Sequence, residues 1–164
     1  MVQKKQKTSL IAKLILLGSI IAVLCIYLTP MFFINFLSDG TATIWGFKAI
    51  FGGSPDQVSS ITITYDFNWR PLVISIIFLL IGVTTFLIGP KAKGYYIFSS
   101  IVFLGLAIFI FYMKSIVIRP TIHVSTSSLA MNRAHLGVGP WASGIISSLS
   151  CLACIIEYRL AKLR

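Results

Sequence analysis

Two uncharged apolar runs, Leu72–Gly89 and Tyr95–Met113, are separated only by Pro90-Lys91-Ala92-Lys93-Gly94. Each run has 18–19 residues, which as a helix spans about 27–28 Å, close to the hydrocarbon thickness of a bilayer. A segment in hydrocarbon must satisfy its backbone hydrogen bonds internally, so the pair is expected to form a helical hairpin. Arg70-Pro71 supplies a helix start and Gly89-Pro90 a stop. Tyr95 and Tyr96 stand where an aromatic belt would place them, and Lys91 and Lys93 assign the turn to the cytoplasmic side.

Composition supports the same class. Only 11% of the chain is charged and 57% is hydrophobic, whereas a water-soluble domain carries about 25% charged residues. The net charge of +10 does not form a polar face with interleaved aromatics. It lies at the ends of apolar runs, which argues against a nucleic-acid partner and for topology signals in contact with membrane lipids.

The expected fold is an all-α integral membrane protein: a four-helix transmembrane bundle with a small extracytoplasmic cap containing short β-strands. The whole chain, 1–164, is read as one membrane domain. Spans are expected at about 10–34, 71–89, 95–113 and 141–158, with outer loops 36–70 and 114–140 and a cytoplasmic turn 90–94. Both termini are assigned to the cytoplasm of a cell whose plasma membrane the chain crosses. Lys4, Lys5, Lys7 and Lys13 precede the first run, and no small-x-small cleavage site follows it, so that run is read as an uncleaved helix kinked or ended by Pro30.

The first outer loop carries the aromatic stretch Thr43–Gly53, then Ser54-Pro55-Asp56, which reads as a turn. Ile61, Ile63, Tyr65 and Phe67 then alternate with Thr62, Thr64, Asp66 and Asn68, a half-buried strand pattern. In the second outer loop, the β-branched segments Ile116–Arg119 and Thr121–Ser125 are expected to pair with or pack on that strand. Ser127–Leu136 is expected to be a short helix ended by Gly137. Trp45, Phe47, Phe51, Tyr65 and Trp69 are the outer-loop interaction candidates. In the last span Ser143, Gly144, Ser147 and Cys151 form a small-residue stripe, which serves either packing within the chain or contact with a partner.

Little in the chain carries catalytic chemistry. Cys151-x-x-Cys154 has the spacing of a redox pair, but the other cysteine, Cys25, lies in another apolar run, so no exchange partner follows from the sequence. His123 and His135 lack ligand spacing between them or with Asp39, Asp56 and Asp66, and neither a metal nor a cofactor is expected. Thr84-Thr85, Ser99-Ser100 and Ser147-Ser148 are the polar pairs available to line a path. Gly137-x-Gly139-x-Trp141 matches half of a dinucleotide fingerprint but follows no βαβ unit, and reads as a tight entry into the last span.

The expected function is that of a non-enzymatic interaction protein: an accessory subunit, assembly factor or immunity/sensor-type protein. Its partners would be membrane lipids and another membrane protein or a second copy of itself. The alternatives are a small oligomeric channel or transporter and, below that, a membrane thiol oxidoreductase using Cys151 and Cys154. The layout resembles that of claudin-type tetraspan proteins, with a long first outer loop and a short inner turn. The first loop lacks that family's paired cysteines, so no family follows.

Overall fold

The computed structural model describes residues 9–36, 40–58, 61–124 and 134–163. They are mostly helical, with three helices long and apolar enough to cross a membrane and two small sheets.

Helix α1 spans Leu10–Leu28 and is capped by Ser9, whose hydroxyl accepts from the Ala12 N–H at 3.0 Å. It stops six residues short of the expected Ile34 because Pro30 disfavours helical backbone at the residue before it. Thr29 is accordingly extended, at φ −117° and ψ 166°. The chain continues as strand β1, Pro30–Phe36, which pairs antiparallel with β2, Gly40–Trp45. Helix α2, Gly46–Phe51, follows, then β3, Gly53–Val58, and β4, Ile61–Tyr65. Ser54-Pro55-Asp56 therefore lies in a strand rather than a turn. Pro55 is tolerated because β3 is an edge strand whose pairing is irregular between Gly53 and Asp56.

Helix α3, Trp69–Ile88, is capped by Asn68 and starts two residues before the expected Pro71. Helix α4, Tyr95–Phe111, is apolar but has only 17 residues, two fewer than expected. Its last turn breaks at Tyr112, and Met113–Thr121 form α5. Ile116–Arg119 are thus helical, which corrects the strand expectation. The overlooked signal is the buried pair Met113 and Val117, four residues apart on one helical face. The extended chain returns at β5, Ile122–Val124, which pairs with β4 as Ile63↔Val124, Thr64↔His123 and Tyr65↔Ile122. That pairing is the one expected from the alternation.

Of the expected helix Ser127–Leu136, residues 125–133 lie outside the described residues. Ala134–Leu136 are not helical. They form β6, which pairs with β1 from Phe32↔Leu136 to Ile34↔Ala134. Helix α6 then runs from Val138 to Leu163, starting three residues before Trp141 and ending five beyond Tyr158.

Connectivity puts both sheets, ordered β2-β1-β6 and β3-β4-β5, at one end of α1, α3, α4 and α6. The Gly89–Gly94 turn lies at the other end. One core runs through both parts, from Ile15, Ala22, Phe78 and Phe103 between helices to Phe32, Ile34, Ile44 and Ile63 under the sheets. The outward helix faces stay apolar, with Leu14, Leu80, Ile101 and Leu149 exposed. Helices that are hydrophobic all round need an apolar surrounding.

Candidate functional site

The sheet end begins with a close approach. Gly46 opens α2 directly on the end of α1, donating its N–H to the Thr29 carbonyl at 3.1 Å. A Cβ at Gly46 would lie 1.6 Å from the Ile26 carbonyl oxygen, so only glycine fits. Ala49 and Ile50 then point into the core, and the Asn68 N–H donates to the Ile50 carbonyl at 2.8 Å.

This seating leaves the other face of α2 outward. The Phe51 ring centroid lies 4.9 Å from Phe47, 5.9 Å from Tyr27 and 6.5 Å from Phe67. Phe47 is 58% and Phe67 59% exposed, with Phe51 also exposed. Trp45 is exposed at the end of β2 and Trp69 in the first turn of α3. Phe67 was expected to face the same way as Ile63 and Tyr65. Strand β4 ends at Tyr65, so Phe67 turns outward and joins the cluster.

Tyr65, the remaining outer-loop candidate, is only 7% exposed and contributes no ring to the surface. Its hydroxyl donates to Asp56 Oδ2 at 2.9 Å, Lys48 Nζ contacts Asp56 Oδ1, and the same ammonium lies 5.8 Å from the Tyr65 ring centroid. Burial, then the hydrogen bond and charge of Asp56, push the Tyr65 phenol well above its usual range. Burial also pushes the Asp56 carboxyl up, but the hydrogen bonds from Lys48 and Tyr65 and the Lys48 charge outweigh it, and the net shift is downward. The trio pins α2 to both strands of the β3–β4 hairpin. His123 Nε2 meets Asp66 Oδ2 at 3.0 Å in an exposed pair, His135 is exposed on β6, and Asp39 lies outside the described residues.

The small-residue stripe of α6 faces inward within the chain. Ser143 donates to the Ala22 carbonyl of α1 at 2.7 Å, and Ser147 to the Phe103 carbonyl of α4 at 2.7 Å. Cys151 Sγ lies 3.2 Å from Ser100 Oγ, and a Cβ at Gly144 would come within 2.7 Å of the Phe111 ring. The polar pairs are engaged as well. Thr85 donates to Ser99 at 2.7 Å, Tyr95 to Thr84 at 2.8 Å and Ser148 to the Gly144 carbonyl at 3.0 Å. Cys151 and Cys154 are buried free thiols, and Cys25 is a half-buried one. Gly139 explains the glycine pair before Trp141. A Cβ there would lie 2.6 Å from Thr29 Oγ1 and 2.7 Å from the Cys25 carbonyl, so α6 can start against the end of α1.

Two features escaped the sequence reading. Glu157, expected near the end of the last span, is 3% exposed, and its Oε2 has no hydrogen-bond partner among the described residues. The Lys48–Asp56–Tyr65 trio joins three residues whose separation in sequence gave no signal of contact. Comparison with protein-family models, curated proteins and solved structures finds no match.

Proposed function

We propose that the chain is a four-span plasma-membrane protein that works by binding another membrane protein, as an accessory subunit, assembly factor or immunity/sensor-type protein, and not by catalysis. In this reading α1, α3, α4 and α6 cross the bilayer. Both termini and the Lys91–Lys93 turn face the cytoplasm, and the two sheets form the extracytoplasmic cap. Helix α4 is short, about 26 Å for its 17 residues, but it packs at the same depth as its neighbours. Ser147 and Cys151 of α6 meet Phe103 and Ser100 in its middle.

The observation that carries the reading is the ring cluster Phe47, Phe51 and Phe67. The cap already buries Phe32, Ile34, Ile44, Ile50 and Ile63, so it has a core without those rings. Exposed aromatics gathered beside a finished core mark an interaction surface.

The test is purification from native membranes in mild detergent, comparing the natural chain with a Phe47→Ser, Phe67→Ser double variant. A stoichiometric second protein lost from the variant, with unchanged thermal unfolding, supports the reading. Turnover or ion flux by the purified chain alone would refute it.

A further inference from the structure

Among the described residues, lateral grooves open between the helices at two places. One, between α1 and α6, is lined by Leu14, Gly18, Ile146, Leu149 and Ala153, with a volume of about 250 Å³. No charged residue lines it, and Ser150 is the one polar side chain along its wall. The other differs. It opens between α3 and α4, has a volume of about 400 Å³, and is walled by Val73, Ile77, Leu106 and Phe109. Ile116 of α5 closes it at the sheet end.

Arg70 and Trp69, in the first turn of α3, stand at that same end of the groove. Arg70 donates from one terminal nitrogen to the Ile116 carbonyl at 3.2 Å, which ties α5 across the groove. Among the described residues the ion pairs are Lys48–Asp56 and His123–Asp66, so Arg70 meets no carboxylate. Its guanidinium carries five N–H donors in a planar fork suited to two oxygens of one anion. Val73, Ile77 and Phe109 are exposed, so the groove opens sideways. On the four-span reading that opening faces lipid, and Trp69 lies at headgroup level.

We propose that this groove is a specific site for an anionic phospholipid, with one acyl chain lying along α3 and α4 and the phosphate held by Arg70. The volume falls within the usual range for small-molecule sites. The chemistry is split in the way such a ligand demands: hydrocarbon walls below and, at the interface, a planar cation that meets no carboxylate among the described residues. The seam between α1 and α6 lacks the cation and serves as the internal comparison.

Trp69 makes the proposal measurable. A Trp45→Phe, Trp141→Phe variant leaves it as the sole tryptophan. That variant is reconstituted into phosphatidylcholine vesicles in which a fixed small fraction is replaced by chain-brominated phosphatidylglycerol or chain-brominated phosphatidylcholine. The expected result is about threefold stronger association of the anionic lipid, the factor an exposed ion pair supplies, falling to parity on Arg70→Gln and partly retained on Arg70→Lys. Equal quenching by the two brominated lipids overturns the proposal and leaves the four-span reading intact. Quenching by neither overturns the four-span reading and the proposal with it. Mass spectrometry of the chain with all its tryptophans, released from mixed vesicles, checks the result independently. One retained phosphatidylglycerol that disappears on Arg70→Gln supports the site, and retention unaffected by that change overturns it.

Discussion

Replacing Gly46 by alanine tests how the sheet end is seated on the first helix. The added carbon would stand 1.6 Å from the Ile26 carbonyl oxygen and 2.8 Å from its carbon. Both are backbone atoms near the end of α1 and cannot swing aside. Restoring van der Waals contact moves α2 away by about 2 Å. That shift breaks the 3.1 Å bond from the Gly46 N–H to the Thr29 carbonyl, at a cost of about 1 kcal/mol. It also loosens the fully buried Ala49 and Ile50, and strain of this kind adds about 1–3 kcal/mol. A total near 3 kcal/mol raises the undocked fraction about 100-fold. The cost falls on docking and not on the long helices, whose backbone hydrogen bonds are internal to each helix. Far-ultraviolet circular dichroism should therefore hold steady while limited proteolysis within 40–67 accelerates about 100-fold, tracking the open population. Gly94→Ala is the control. Its backbone is already helical at φ −61° and nothing lies within 4 Å of the new carbon, so it should be neutral or stabilising by about 0.5 kcal/mol. Natural protease resistance in Gly46→Ala would refute the reasoning.

Two further outcomes follow from the same geometry. Ser147→Val removes the bond to the Phe103 carbonyl and should cost about 1 kcal/mol, while Ser147→Leu also forces α4 and α6 apart and should cost about 3 kcal/mol, as read by denaturation in mixed micelles. A changed assembly mass at unchanged stability would instead place that stripe between chains. The cap should also lose stability at both extremes of pH. Asp56 has its folded pKa below the ordinary 3.8, so its contribution is present above that value and is lost as pH falls through the folded one. Tyr65 has its folded pKa raised above 10.0, so its contribution is full below that value and fades as pH rises. Tryptophan fluorescence against pH checks both limbs, and Tyr65→Phe should flatten the alkaline one.

The long helices were legible because lack of charge over a bilayer's thickness is a one-dimensional signal. Helix ends were less so. The residue before Pro30 decides where α1 stops, and a continuous apolar run to Ile34 hides that local constraint. Helix α5 was missed for a related reason: β-branched content at Ile116–Ile118 suggested a strand, while the period set by Met113 and Val117 was helical. The β4–β5 pairing was readable because strand alternation has period 2 and a buried face fixes the register.

The sites separate along the same line. A small-residue stripe records that something comes close, but not whether it belongs to the same chain, and only the Ser143–Ala22 and Ser147–Phe103 bonds answer that. Tyr65 and Phe67 show the limit most directly. They share one alternation phase in sequence, yet one is the floor of the cap and the other its surface, because β4 ends between them. Glu157 lies beyond what pattern can reach. An acid near a span's end is ordinarily a solvated marker of the interface, and the burial of Glu157 depends on how the helices pack together, a property that no single run of residues encodes.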